Sequence, residues 1–362
     1  MQPERLTVRL RASQRLDRYL TGRLAQVSRS RIQRHIARGD VLVDGRVVRA
    51  NHRLHGGEIV TLPALLQRGL EAASVAAEFH LVYEDEDLVV VDKPAGMLMH
   101  PVGGEFRHTL LNGLFHRLQS RGEPAAELGI VHRLDRATSG LVVVAKTLAS
   151  RRQLAAQVEA RRMRRLYLAV VHGVPREVAG RIDLPIRRDP RRPTRMQALL
   201  PEAAAAALRR AVVPPVSASG YSDPRRDFRP RAARTRYRLL RRLGESSLLR
   251  LELDTGRTHQ IRVHLQAQGM PLWGDPLYGG VPDGGGVSRA APAGEKAARE
   301  PLGLGRPALH AARLEFTQPR HGTPLRFTAP LPPDLRALVF TLAGVPAADG
   351  VPGCDHAPRT RR

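Results

Sequence analysis

Cysteine, lysine and long apolar runs are scarce in this 362-residue chain. Its one cysteine, Cys354, excludes an intrachain disulfide bond and a metal site made of several thiolates. No stretch approaches the roughly 18 apolar residues that cross a membrane, and no apolar signal region stands at the N-terminus. We therefore expect a cytoplasmic protein with no membrane association.

Acidic residues are also few beside basic ones, 34 against 59, which gives a net charge of +25. Only Lys93, Lys146 and Lys296 are lysines, so arginine carries almost all of the positive charge. A preference for arginine over lysine does not create the excess, because that exchange leaves the charge unchanged. Such an excess disfavours an enzyme of small acidic metabolites and is typical of a protein that docks on a polyanion such as RNA.

Asp135 is the first candidate for chemistry. It lies in a polar turn between the apolar runs 130–131 and 141–145, so a strand, a tight loop and a second strand would place its carboxylate at the loop tip. Arg133 and Arg136 lie close by, and guanidinium groups favour the ionised form that a nucleophile or base needs. Taken by itself, however, this pattern favours a turn or capping residue.

The first 62 residues predict a small basic α/β module. Ser28 or Ser30 can cap a helix, Gly39 can end it in a left-handed conformation, and Asp44-Gly45 predicts a two-residue hairpin. The segment holds 13 arginines against 5 acidic residues. We expect a phosphate-binding face on and beside this helix. Its residues are Arg29, Arg31, Arg34 and Arg38.

Four motifs, in order, resemble those of the RluA-type pseudouridine synthases. Residues 91–101 read VDKPAGMLMHP and residues 129–147 read GIVHRLDRATSGLVVVAKT, close to the family's DKPxGxxxHP and HRLDxxTSG segments. Residues 255–280 (TGRTHQIRVHLQAQGMPLWGDPLYGG) and 306–330 are similar to its third and closing motifs. Residues 13–62 resemble the S-four-like RNA-binding module that often precedes this catalytic domain.

The resemblance implies roles for four residues. Asp135 would be the nucleophile or base, and Arg262 its ion-pair partner, with Arg257 as second choice for that role. Arg133 would enter the RNA and hold the target nucleotide out of its stack. Tyr167 would stack on the target base and assist removal of the C5 proton. Without the resemblance, Tyr167 is better explained as a core aromatic on a strand.

Pseudouridylation moves uracil from an N1 to a C5 bond with ribose, and it neither oxidises nor imports a group. We therefore expect no metal, redox cofactor or nucleotide, and the sequence has no Walker-type loop. His132, His259 and His264 lie in the motifs, but no nucleophile elbow supports a Ser-His-Asp site. His259 and His264 would lie on opposite faces of a strand. We expect these histidines to shape loops by hydrogen bonding.

The resemblance implies an α+β fold, with a mixed, mostly antiparallel central sheet and flanking helices behind the small N-terminal module. We divide the chain into the module (1–62), a connector (63–78), the catalytic domain (79–340) and a disordered tail (341–362). Residues 198–232 and 281–305 are predicted insertions.

The N-terminal module and the His-Pro after DKPxG favour large-subunit ribosomal RNA as the substrate. We expect a monomer. Two alternatives stay open: a transfer RNA pseudouridine synthase, and a non-catalytic RNA-binding or ribosome assembly factor.

Overall fold

The protein is described by a computed structural model for residues 4–8, 13–24, 29–62, 76–101, 108–125, 127–192, 194–200, 228–279 and 303–344. Within these ranges, no helix has the length and apolar character of a membrane span.

The N-terminal module is a four-stranded sheet with two helices and an extra two-stranded pair. Its elements are β1 (Glu4–Thr7), β2 (Gln14–Arg15), α1 (Leu16–Arg23), α2 (Arg29–Ala37), β3 (Leu42–Val43), β4 (Arg46–Val47), β5 (Arg53–Leu54) and β6 (Ile59–Leu62). The sheet order is β1-β6-β3-β4, and β2 pairs with β5. Ile32 and Ile36, one turn apart on α2, are buried in a core that the module's own residues form.

Two predicted turns of the module are confirmed. After α2, Gly39 has φ +75°, and the N–H groups of Gly39 and Asp40 donate to Ile36 O and His35 O, which closes the helix. Asp44 (φ +47°) and Gly45 (φ +74°) form the two-residue turn between β3 and β4. The proposed cap Ser28 lies outside the described residues, whereas Ser30 lies within α2.

The second part of the chain, here called the body, comprises the described residues from 76 to 344 and is built on one mixed sheet. Its strands are β7 (His80–Glu84), β8 (Leu88–Lys93), β9 (Gly129–Ile130), β10 (Ser139–Ala145), β11 (Arg164–His172), β12 (Ala179–Asp183), β13 (Ile186–Arg188), β14 (Met196–Ala198), β15 (Arg234–Leu243), β16 (Ser246–Leu253), β17 (Leu309–Thr317) and β18 (Pro324–Thr328). Its helices are α3 (Leu110–Ser120), α4 (Leu148–Glu159), α5 (Gln260–Ala267) and α6 (Pro333–Ala343).

Ten of these strands form the sheet. The main path runs β12-β15-β16-β11-β17-β10-β8-β7, with β9 beside β10 and β18 beside β17. Only β10 and β17 pair in parallel, so the predicted mixed, mostly antiparallel sheet is confirmed. β13 and β14 form a separate pair.

Both faces of the central strands are buried, as their near-continuous valine runs indicate. On β8, Val89 and Val91 face the core that contains α3 and α5, while Leu88 and Val90 face the core that contains Leu154 of α4. The sheet therefore holds its loops from both sides.

The Asp135 loop lies where β10 changes its partner from β17 to β9. β8 occupies one edge of β10. On the other edge, β17 pairs only with Ser139 and Gly140, and β9 pairs with Val144 and Ala145. The loop 131–138 lies between these two pairings, where the Val143 N–H donates to His132 Nε2 (3.4 Å). The predicted strand–loop–strand arrangement around Asp135 is thus observed.

Two sequence expectations are wrong in detail. Residues 260–267 form helix α5, not a strand. The predicted tail begins too early, because α6 continues to Ala343 and ends at Gly344, whose positive φ of 65° caps the helix; the rest of the tail lies outside the described residues. At the ends of the predicted insertion 198–232, Ala198 pairs with Ile186 and Arg231 bridges to the same residue. The stretches 201–227 and 280–302 lie outside the described residues.

Candidate active site

Asp135 and Arg262 lie together in the body, although 127 positions separate them in the sequence. Asp135 comes from the loop before β10, and Arg262 from the first turn of α5. Arg262 Nη1 lies 3.7 Å from Asp135 Oδ2, and 27% of the Asp135 side chain is exposed. The loop tip therefore presents a carboxylate that solvent or a substrate can reach and that a buried guanidinium faces.

A second carboxylate holds Arg262 in place. Nε and Nη2 of Arg262 donate to Oδ2 and Oδ1 of Asp275, each at 2.7 Å, and the Asp275 side chain is fully buried. Burial opposes the charge on Arg262, but the two carboxylates outweigh this effect and raise the pKa of Arg262 above its usual value. Bidentate pairing of this kind fixes orientation as well as charge.

Tyr278 supports the same arginine from one side. Its ring centroid lies 5.0 Å from the Arg262 guanidinium carbon. Its hydroxyl accepts the Met196 N–H (2.8 Å) and lies 2.9 Å from His259 Nδ1. Burial lowers the pKa of His259, which favours a neutral ring. Its Nδ1 can then accept a hydrogen bond from the Tyr278 hydroxyl. His259 itself has φ +55° at the N-cap of α5.

The Asp135 loop is fastened to the loop that follows β8. The fully buried Lys93 donates from Nζ to Pro94 O (2.8 Å), Met97 O (3.0 Å) and Arg136 O (3.2 Å). Burial lowers the pKa of Lys93 to about 7, and the nearby Asp135 carboxylate acts in the opposite direction. Lys93 thus joins two of the four motifs.

Gly140 sets the path of the chain as it leaves the loop. Its φ is +114°, and a Cβ at this position would lie 2.4 Å from Ala311 O on β17. Both the backbone conformation and the close approach of β17 require glycine here. The last residue of the sequence TSG is therefore needed for the strand pairing beside Asp135.

Tyr167 lies on β11 in the body's core and is buried, as its interpretation as a core aromatic predicts. Burial raises the pKa of Tyr167, the Arg165 guanidinium acts against this, and the Asp135 carboxylate adds to it. The electrostatic effect of Asp135 on this pKa indicates that the carboxylate lies near the phenol. The two interpretations of Tyr167 are therefore compatible.

The remaining predicted residues lie apart from this cluster or at its rim. Arg133 is exposed two positions before Asp135. Burial lowers the pKa of His100, and the charge of Arg133 lowers it further. Arg257 is exposed and donates to Ala232 O (3.2 Å), so the structure pairs Asp135 with Arg262 and not with Arg257. Arg34 on α2 and Arg38 directly after it are exposed. Arg29 binds Asp17, and the Arg31 side chain lies outside the description.

The motif histidines are held by structural contacts. His264 is buried, with Nδ1 2.9 Å from the Thr235 hydroxyl and Nε2 3.0 Å from Leu184 O. Burial lowers the pKa of His132 to about 3, and the charge of Arg165 adds to this. In the part of the chain that the structure describes, no group of three or more His, Cys, Asp or Glu side chains is placed to hold a metal ion.

Comparison with known proteins assigns the chain to a family. Residues 87–267 match the family model of RNA pseudouridylate synthases, and residues 14–60 match that of the S4 domain. A relative from Chloroflexus aurantiacus, named as an RNA pseudouridine synthase, is 42% identical over 91% of this chain and 90% of its own. The chain belongs to the RNA pseudouridine synthase family.

Further relatives and a solved structure agree with this assignment. A ribosomal large subunit pseudouridine synthase D from Xanthomonas campestris is 38% identical to this synthase, over 91% of this chain and 89% of the relative. The human RNA pseudouridylate synthase domain containing 4 protein has the same fold, with a TM-score of 0.52 at 23% identity, over 77% of this chain and 96% of the human one. Members of the family are isomerases that act on RNA.

Sequence reasoning missed several residues of the site. Asp275 and Tyr278 stand in the GDPLYGG segment of the third motif, and the resemblance implies no role for either side chain. Lys93 stands in the first motif.

Proposed function

We propose that this synthase isomerises specific uridines of large-subunit ribosomal RNA, with Asp135 as the nucleophile or base. The observation that carries the catalytic part is the placement of Asp135, partly exposed at a loop tip and facing an arginine whose other donors Asp275 occupies. The substrate class is supported by relatives from Xanthomonas campestris and Nitrosomonas europaea, both named ribosomal large subunit pseudouridine synthase D.

The neighbouring side chains fit the steps that the reaction needs. Uracil must leave ribose through N1, turn while it is held, and rejoin through C5 with loss of the C5 proton. Asp135 would supply the carboxylate, and Arg262 would keep it oriented. Tyr167 would stack on the loose base and assist the proton transfer. Arg133, exposed two positions before Asp135, would fill the gap that the flipped nucleotide leaves in the RNA stack.

The N-terminal module would add contacts with phosphates. Arg34 and Arg38 are exposed on and beside α2 and would carry the phosphate-binding face. Arg29 donates to Asp17 instead. Because the isomerisation transfers no group to or from another molecule, the proposal needs no cofactor. It takes the enzyme to be a monomer that works in the cytoplasm, where ribosomal RNA is made.

The decisive experiment maps pseudouridine in total RNA from source cells that lack this gene, and again after complementation. Wild type should restore the large-subunit sites that vanish, and Asp135→Asn should not, because the amide cannot act as nucleophile or base. Asp189→Asn, at a half-buried carboxylate that accepts from the Arg191 N–H, is the matched control and should restore them. Restoration by Asp135→Asn would refute the catalytic role. Loss of sites only in transfer RNA would refute the substrate class.

A further inference from the structure

Arg165 is a buried cation with no partner in the part of the chain that the structure describes. It is 7% exposed, and its Nε is enclosed without a hydrogen bond. No carboxylate in the described ranges lies within ion-pair distance of it. A buried charge in this state is costly, since no counter-charge in the described ranges compensates it.

The surroundings of Arg165 place its guanidinium beside the Asp135 site. Arg165 precedes Tyr167 by two positions on β11 and points to the same face. Its charge acts on Tyr167 and on His132, which stands three residues before Asp135. A Cβ at Gly256, in the loop before α5, would lie 3.1 Å from Nη1 of Arg165. The guanidinium is thus flanked by the strand of Tyr167 and by both loops that supply Asp135 and Arg262.

The adjacent Arg164 has the opposite environment. It is more than half exposed and lies within ion-pair distance of Glu252 (3.0 Å) and Glu315 (3.5 Å). Two consecutive arginines on one strand therefore face opposite sides of the sheet, one with carboxylates and one without. The arginine without a carboxylate partner is the one beside the Asp135 site.

We propose that Arg165 is a substrate-binding residue that receives a backbone phosphate flanking the target uridine. Uracil is neutral, so among the parts of an RNA only a phosphate can compensate the charge. The planar guanidinium offers several donors that match phosphate oxygens. Two strand positions span about 6.6 Å, so this phosphate lies close to the base on Tyr167. The inference rests on the proposed active site around Asp135.

Salt dependence of RNA binding provides the test. The Asp135→Asn protein, which leaves the RNA unmodified, is the parent, and Arg165→Met and Arg164→Met are added to it. Each phosphate contact contributes about 0.7 to 0.9 to the slope of log K against log salt. Arg165→Met should lower the slope by about that amount and weaken binding by about 10- to 100-fold. Arg164→Met removes the same charge and should change neither.

A neutral methylphosphonate at one phosphate next to the target uridine identifies the contact. It should weaken binding by the parent and have little effect on Arg165→Met, since the two changes remove the same interaction. Equal salt slopes for the two arginine variants, or losses that add, would overturn the proposal.

Stability distinguishes substrate binding from a structural role. Without RNA, Arg165→Met should unfold at the parent's temperature or above it, because the substitution removes an uncompensated buried charge. A clear drop would show that Arg165 serves the fold instead. If the parent does not prefer large-subunit RNA to an unrelated RNA, the substrate class fails, and the same arginine comparison is then made on the RNA that the mapping identifies.

Discussion

Arg262 divides its guanidinium between two carboxylates with different tasks. Two donors hold the buried Asp275, and the third side of the group faces Asp135 at 3.7 Å. The longer contact leaves the Asp135 oxygens available to a substrate, while the shorter ones fix the arginine. A lysine, with one point charge on a flexible chain, could not serve both carboxylates in this geometry.

At the same scale, we expect Asp275→Asn to act on catalysis through Arg262. Loss of the charged partner should leave RNA affinity nearly unchanged, reduce kcat by about 10- to 100-fold, and destabilise the fold by about 3 kcal/mol. Single-turnover kinetics and thermal unfolding measure the two effects. In the double variant with Arg262→Lys, the two losses in kcat should not add, because both substitutions disturb the same ion pair. Additive losses would show that Asp275 and Arg262 act independently.

Residue identities in the site could be predicted only where a motif carried them. The HRLD segment led to Asp135, and the third motif to Arg262 as its first-choice partner. Asp275 could not be paired with Arg262 from the sequence, because that contact depends on how α5 packs beside the turn after Leu272. Nothing in two adjacent arginines says which one lacks a partner; the positions of Glu252 and Glu315 on neighbouring strands decide it.

Among the elements, α5 is where sequence reasoning was wrong. Ile261, Val263 and Leu265 alternate with polar residues, which is the period of a strand. The segment is a helix that is buried on all sides from Gln260 to Leu265, so no polar face marks the helical period. Strands β9 and β10 were predictable, because apolar runs and a turn signal flank Asp135.

The contact between α1 and α2 predicts a response to acid. The fully buried Asp17 side chain accepts from Arg15, Arg29 and Gln33. Burial alone would raise the pKa of Asp17, but these donors lower it from 3.8 to about 2. The carboxylate therefore stabilises the module above about pH 4, and this contribution disappears as the pH falls from about 4 to 2.

Hydrogen exchange in residues 13–62 of the full chain measures this effect. Wild type should lose about 1 to 2 kcal/mol of protection over that range, a value reduced by solvent around the half-exposed arginines. Asp17→Asn should start lower and change less. Parallel curves for the two proteins would assign the acid response to other groups.

For the whole molecule, the module and the body have separate hydrophobic cores, so the module can act as an added RNA arm. We expect deletion of residues 1–62 to lower RNA affinity and flatten its salt dependence, while kcat at saturating RNA is retained. Filter binding over a salt series and single-turnover rates measure both.

In the full chain, the double variant Arg34→Gln, Arg38→Gln should show part of the reduced salt dependence of RNA affinity that the deletion causes. The same change of charge at the exposed Arg152 and Arg336 on body helices is the control. An equal effect of both pairs would mean that the total charge, and not the α2 face, attracts the RNA.

Gly140 and Asp135 belong to one motif but have different roles. The Gly140 φ of +114° and the approach of this glycine to Ala311 O serve the parallel pairing of β10 with β17, whereas Asp135, five residues earlier, is the residue that we propose for the reaction. A related chain could replace the aspartate and keep the glycine, and its sheet would still close. Such a protein would be recognised as a family member by its sequence and would nevertheless be inert, so the glycine is a marker of architecture and the aspartate a marker of activity.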